Sequence, residues 1–311
     1  MVPLFTAKAV YEAVSPERAV EAVRDGFVAY ARGEWAMQPK LYVGAYPAGD
    51  FRAMPALGGG HALLKWVTSF PGNPAHGLPT VTGVVLLSDA SNGVLKAILD
   101  AGAVTALRTG AAAVLAAETL GRPDARTAAV VGAGVNGRAA ARTFLALERE
   151  VLLWDVDAAR AEAVAAELGA EVAASRELAL AADLVVTVTP GHEVLLPGGT
   201  LLPGQHVSLM GADGPGKAEI AVEELVRTRV FCDDWEQASH GGELVYAVEL
   251  GKLAREDVTE LGAVLAGDAP GRQSDDEITT FDSTGLAIQD LAVALAALER
   301  ANDLSLPQLD L

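Results

Sequence analysis

The chain has 311 residues, 51% of them apolar and 21% charged, and a formal net charge of −18. That length accommodates two domains with ample core, and so negative a field excludes nucleic acid and an anionic membrane as partners. The single cysteine, Cys232, excludes an internal disulfide and fits a reducing cytoplasm. Residues 1–30 carry charges throughout and do not read as a signal peptide. No uncharged apolar run reaches the length of a membrane span.

Ser15-Pro16-Glu17 sets up a helix start, with Ser at the N-cap, Pro at the first helical position and an acid in the first turn. Ala19, Val20, Val23, Phe27 and Tyr30 then follow helical spacing until Gly33. Between residues 37 and 100 the character changes. Short strands are predicted at 40–43, 51–54, 62–68, 81–87 and 94–99, with Ser91-Asn92-Gly93 as a hairpin turn. Consecutive short strands predict a mostly antiparallel sheet. A helix follows over 101–120 and ends at Gly121-Arg122-Pro123.

From Thr127 strand and helix alternate in the doubly wound manner. Strands are predicted at 128–131, 150–154, 184–189, 206–210 and 229–232, with a weaker one near 171–173. After Cys232 come an acidic loop, helical segments and the turn Ser283-Thr284-Gly285. The final helix, 286–302, has a broad apolar face and is predicted to return to the first domain. The fold class is therefore α/β, a Rossmann-type doubly wound domain over 119–284 plus a smaller α+β domain from 1–118 and 285–311.

The apolar run 128–131 breaks into Gly132-Ala133-Gly134-Val135-Asn136-Gly137 and resumes as an alanine-rich helix. Strand, G-x-G-x-x-G and helix in that order form the dinucleotide fingerprint. Its glycines serve a tight turn, a close approach to a pyrophosphate and close helix–strand packing. The helix N-terminus offers unpaired N–H groups to the phosphates. Asp155 ends the next strand, about 20 residues on, where an acid accepts from the ribose hydroxyls and repels a 2′-phosphate. No Arg follows immediately, so NAD is expected rather than NADP. The competing reading is that Asp155 merely caps the next helix. Thr187, near the tip of the 184–189 strand, and Gly211, after the next strand, join the candidate cofactor set.

Four cations sit in unusual company: Lys40 and Lys65 beside or within apolar strands, Arg52 in Phe51-Arg52-Ala53-Met54-Pro55, and Arg108 in an apolar helix. A buried charge costs several kcal/mol unless paired. Each alone could point outward, but together they read as a carboxylate-binding pocket, Arg supplying the fork and Lys a point charge or proton. Asp213, in Gly211-Ala212-Asp213-Gly214-Pro215-Gly216-Lys217, follows a predicted parallel strand and is a candidate general acid/base; a plain turn residue is the alternative. His240 reads as structural, and no histidine spacing suggests a metal site.

Taken together, these segments resemble the ornithine cyclodeaminase/μ-crystallin family. The resemblance rests on Arg52-Ala53-Met54-Pro55-Ala56, Lys65-Trp66-Val67, Leu78-Pro79-Thr80-Val81 leading into Leu86-Leu87-Ser88-Asp89, and Leu107-Arg108-Thr109-Gly110-Ala111. The Gly132 fingerprint and Asp282-Ser283-Thr284-Gly285-Leu286-Ala287-Ile288-Gln289-Asp290 complete it, in one collinear order over nearly the whole chain. Pro71-Gly72-Asn73-Pro74, the Gly211–Lys217 stretch and Asp233-Asp234 with His240-Gly241-Gly242-Glu243 look most like its archaeal-type alanine dehydrogenase branch. The resemblance implies a homodimer built through the first domain and an active site between the domains. It also implies substrate binding by Arg52, Lys65 and Arg108, with Lys40 beside them and Lys65, Asp213 and Lys40 as the catalytic set. Thr109, Gly132, Gly134, Val135, Asn136, Gly137, Asp155, Thr187, Gly211 and Ser283 make up the expected NAD site. Asn136 departs from the Gln common at that position but keeps the amide.

The expected activity is an NAD-dependent amino-acid dehydrogenase acting on L-alanine, giving pyruvate (a 2-oxo acid) and ammonia. The alternatives are an ornithine cyclodeaminase or ketimine reductase, and a non-enzymatic crystallin-like binding protein, against which the full cationic set and Asp213 argue.

Overall fold

The computed structural model describes residues 1–212, 214 and 216–310. It divides into two compact units, Met1–Arg108 with Leu286–Leu311, and Thr109–Gly285.

The first unit opens with β1 (Val2–Phe5), α1 (Ala7–Ala13) and α2 (Pro16–Ala31). Ser15 caps α2 as its sequence dictates, its side chain accepting from the main-chain N–H of Arg18. The strands β2 (Ala36–Met37), β3 (Leu41–Ala45), β4 (Gly49–Gly58), β5 (His61–Ser69), β6 (Val81–Asp89) and β7 (Leu95–Asp100) follow. They lie in the order β1-β7-β6-β5-β4-β2, with β3 also on β4. All these pairings are antiparallel except β1 with β7. Strand β4 runs through Pro55 because the Pro55 carbonyl faces Gln38, in the gap between β3 and β2. On that side no ladder bond needs the N–H that proline lacks. The alternation of β4 and β5 puts Met54, Ala56, Leu63, Lys65 and Val67 on the covered face. Leu64 and Trp66 stand on the exposed one.

Helix α3 (Ala101–Leu120) begins where Asp100 accepts from the N–H of Ala103 at 2.7 Å. It is long and apolar enough to cross a membrane, yet 83% of its most apolar window is buried, as in a core helix. The division between the units falls inside it, between Arg108 and Thr109.

The second unit comprises β8 (Thr127–Val131), α4 (Val135–Ala146), β9 (Glu150–Trp154), α5 (Ala158–Leu168), β10 (Glu171–Val172), α6 (Arg176–Leu180), β11 (Leu184–Thr187) and β12 (His206–Leu209). Then come α7 (Val222–Leu225), β13 (Arg229–Cys232), α8 (Trp235–Gly241), α9 (Val245–Glu249), β14 (Val258–Glu260), α10 (Leu261–Ala266) and β15 (Thr279–Asp282). The sheet order is β10-β9-β8-β11-β12-β15-β13-β14, every pair parallel. This is the doubly wound fold, and its strand order reverses between β8 and β11, the switch point where such sheets bind ligands. Strand β15 enters between β12 and β13, a place the sequence pattern assigned to none. The chain then returns to the first unit as α11 (Ala287–Glu299) and β16 (Gln308–Leu309). Helix α11 packs on α2, β4 and β5.

Candidate functional site

In the second unit the fingerprint closes the β8–α4 turn. Gly132 has φ +108°, and a Cβ there would stand 2.6 Å from the Val188 carbonyl oxygen. At Gly137 a Cβ would collide with the carbonyl of Gly132, so the third glycine is forced by helix–strand contact. Gly134 is the N-cap of α4 and offers no side-chain cap. Gly134 and Val135 are exposed and Asn136 half-buried, leaving the first-turn N–H groups of a 12-residue helix open to an anion. The Thr109 hydroxyl, on α3, is buried with no hydrogen-bond partner, an orphan that a bound group would satisfy. Helix α3 crosses α4 closely nearby, where Gly110 faces the Ala139 main chain. These features fit a dinucleotide.

Asp155 is not the cap of α5. That cap is Asp157, whose side chain accepts from the N–H of Arg160. Asp155 is buried, and its Oδ2 accepts from the main-chain N–H of Ala133 at 2.7 Å, inside the glycine turn. Its Oδ1 accepts from the N–H of Asp157 at 2.8 Å. An arginine does reach this carboxylate, from the first turn of α5: Arg160 Nη1 lies 3.3 Å from it.

Thr187 and Gly211 are drawn together by a residue that sequence reasoning missed. The fully buried Glu219 carboxylate accepts from the Thr187 hydroxyl at 2.7 Å, the Thr189 N–H at 2.8 Å and the Thr189 hydroxyl at 2.6 Å. It also accepts from the Gly211 N–H at 3.0 Å. Burial pushes the Glu219 carboxyl up, and these bonds oppose it. Glu243 in turn accepts from the Glu219 N–H, and burial together with the Glu219 charge raises it to about 8. The Ser283 hydroxyl donates to Asp233 at 3.1 Å, so its side chain braces the loop after β15. His240 is a local strut, its ring nitrogen 2.7 Å from the Glu236 carbonyl. Asp213 lies outside the described residues.

In the first unit Lys65 and Arg108 meet at one buried carboxylate, and Arg52 is paired separately. Lys65 on β5 is 1% exposed, and its Nζ lies 2.6 Å from Oδ2 of Asp290 on α11. It also donates to the Thr105 hydroxyl at 3.4 Å. Arg108 on α3 sits 3.4 Å from the other Asp290 oxygen and donates to Gln289 at 3.3 Å. Burial lowers Lys65 to about 8, with Asp290 opposing and Arg108 and Lys40 reinforcing the shift. Arg52 on β4 is held by Asp50, Nε to Oδ1 at 2.6 Å, and lies over the Tyr42 ring. Asp50 and Asp290 were both missed. A signal existed for Asp290, the one charge in the apolar stretch 286–298, the same kind of signal that singled out Arg108.

Such an arrangement can neutralise a carboxylate and hold a proton on an amine near neutral pH. The model of the ornithine cyclodeaminase/mu-crystallin family matches residues 3–305. An alanine dehydrogenase of Archaeoglobus fulgidus is 41% identical over 309 residues, covering 96% of this chain and 94% of that protein. A solved archaeal alanine dehydrogenase, a dimer with bound NAD, superposes with a TM-score of 0.92 at 39% identity, covering 97% of this chain and 96% of that one. The iminosuccinate reductase of Paracoccus denitrificans, solved with NAD+, gives a TM-score of 0.89 at 30% identity, over 97% of each chain. The family model runs nearly from end to end of the chain, and the chain belongs to the ornithine cyclodeaminase/mu-crystallin family.

Proposed function

We propose that this chain is an NAD-dependent amino-acid dehydrogenase that deaminates a small L-amino acid, L-alanine foremost, to its 2-oxo acid and ammonia. The observation that carries the reading is the Lys65–Asp290–Arg108 cluster: among the described residues two cations share one buried carboxylate, nearly dry, and Lys40 adds positive charge nearby. An uncompensated buried charge is costly, and a substrate carboxylate would relieve it. Bound NAD supplies the acceptor for the hydride leaving Cα. The α4 N-terminus holds its phosphates, and Asp155 takes its ribose hydroxyls. Arg52, Lys65, Arg108 and Lys40 orient the substrate carboxylate. Lys65, titrating near 8, is able to give or take a proton at the reacting nitrogen or oxygen. Asp213 is assigned the remaining acid/base step from its sequence neighbourhood.

The relatives support a homodimer and NAD, and the first unit offers a face for self-association. Leu41 on β3, Trp66 on β5 and Val84 on β6 are exposed, and the register aligns them across the sheet through Ala53. A contiguous apolar row of this kind marks an interface. A cytoplasmic location is part of the same proposal.

The test is NADH formation across a panel of L-amino acids, run beside proline detection from ornithine. Net NADH with alanine supports the dehydrogenase. Proline from ornithine without net NADH replaces it with a cyclodeaminase.

A further inference from the structure

Asp290 stands out among the buried polar groups of the first unit. Its carboxylate is fully buried, and no main-chain or hydroxyl donor reaches either oxygen. Among the described residues its close partners are Lys65 at 2.6 Å and Arg108 at 3.4 Å. An aspartate buried for helix capping would accept main-chain N–H bonds; this one does not. The α11 first turn is instead closed by Gln289, which accepts from the Leu286 N–H at 3.2 Å and also from Arg108. Helix α11 thus delivers two consecutive side chains to the cations of β5 and α3.

We propose that Asp290 is a positioning residue that keeps Lys65 protonated and aimed while leaving the cluster net positive for the substrate carboxylate. The proposal rests on the substrate reading above. Without Asp290, Lys65 and Arg108 would face each other as like charges in a dry site, and the lysine would shed its proton. The groups facing Lys65 are Asp290 from α11, Arg108 and Thr105 from α3, and Lys40 ahead of β3. Asp290 is the sole anion among them.

The experiment is Asp290→Asn, which keeps shape and removes charge. The Lys65 ammonium is followed by NMR of 15N-lysine-labelled protein, assigned with Lys65→Met, and the pH profile of kcat/KM is measured in parallel. Lys65 is expected to titrate about one pH unit or more lower in D290N, the usual effect of losing an opposite charge at contact distance. The alkaline limb of kcat/KM should move down with it. An unmoved Lys65 titration in a folded variant overturns the proposal, whatever the melting temperature does. If no amino acid yields NADH, the dehydrogenase reading fails while the NMR shift still decides the role of Asp290. Should D290N not fold, the pair K65M and K65M/D290N carries the test. Folding of the double variant shows that Asp290 is needed because of Lys65; its failure overturns the proposal.

Discussion

Asp155 and Ala133 are joined by a 2.7 Å hydrogen bond from main chain to carboxylate, so the end of β9 clamps the glycine turn at the end of β8. One carboxylate therefore shapes the turn and, in the proposed NAD site, would carry the charge that meets a ribose. It also engages Arg160, which is half-exposed and 3.3 Å away.

Asp155→Ser should accordingly do two things. It should weaken NAD by loosening the turn, and shift the NADP-to-NAD affinity ratio upward by about tenfold or more. That is the lower end of a repulsion worth about 1–4 kcal/mol at about 4 Å. Arg160, released from its partner, becomes available to a 2′-phosphate. Fluorescence titration with NADH and NADPH reads both effects. A ratio left unchanged would remove Asp155 from cofactor choice.

Gly137→Ala should abolish dinucleotide binding, because the added methyl meets the Gly132 carbonyl and α4 must move off β8. Overpacking of this kind costs about 1–3 kcal/mol, visible as a lower melting temperature. Near-wild-type NADH binding would mean that the turn tolerates a displaced helix and does not grip the phosphates.

Most of the doubly wound unit was legible because its strands are short apolar runs and its turn is written in glycines. Helix α3 and the strand over 150–154 match their expected bounds. Strand β15 was not legible: Thr279-Thr280-Phe281-Asp282 carries no apolar run. Its burial depends on hydroxyl bonds such as Thr279 to the Leu120 carbonyl and Thr280 with Thr228. The cations of the first unit announced themselves as charges in apolar segments. Their pairing did not: Asp290, itself a charge in an apolar stretch, is remote in sequence and meets Lys65 only through the return of α11. Glu219 was hidden for a similar reason, since an acid after a Gly/Pro-rich loop looks solvated until the tips of β11 and β12 close over it.

Glu243 predicts a pH dependence of stability. Its folded value, about 8, lies above its ordinary 4.5. The folded state then holds the proton more tightly between those values, so the unfolded state binds fewer protons and stability falls as pH rises through the window. Lys65 works in the opposite sense but later, between about 8 and 10.5, because its folded value is depressed. Melting temperature should therefore decline from weakly acidic to weakly alkaline pH, and Glu243→Gln should flatten the decline. A wild-type curve that is flat across the window would show Glu243 ionised in the folded protein.

Asp213→Asn should lower kcat by about 10²–10⁴-fold, the range of a positioned general acid/base, while NADH still binds. Asparagine serves a turn as well as aspartate, so a near-wild-type rate would leave Asp213 only a turn role.

Arg52→Lys separates charge from geometry. The Arg52 guanidinium presents Nε and Nη2 to Asp50 at 2.6 and 3.3 Å and lies 5.2 Å over the Tyr42 ring centroid. Lysine retains the positive charge but has neither the planar fork nor the stacking face. If Arg52 grips a substrate carboxylate, KM for the amino acid should rise by about tenfold or more, since hydrogen bonds to a charged group are worth about 1.5–3 kcal/mol. The NAD dissociation constant should hold, because Arg52 belongs to the first unit and the glycine turn to the second. Asp50→Asn is the converse change. It lowers the competition for the fork and should leave KM equal or smaller, provided Tyr42 keeps the arginine in place. A rise in KM for both variants would instead assign the Asp50–Arg52 pair to holding β4 in register with β3, with substrate contact left to Lys65 and Arg108.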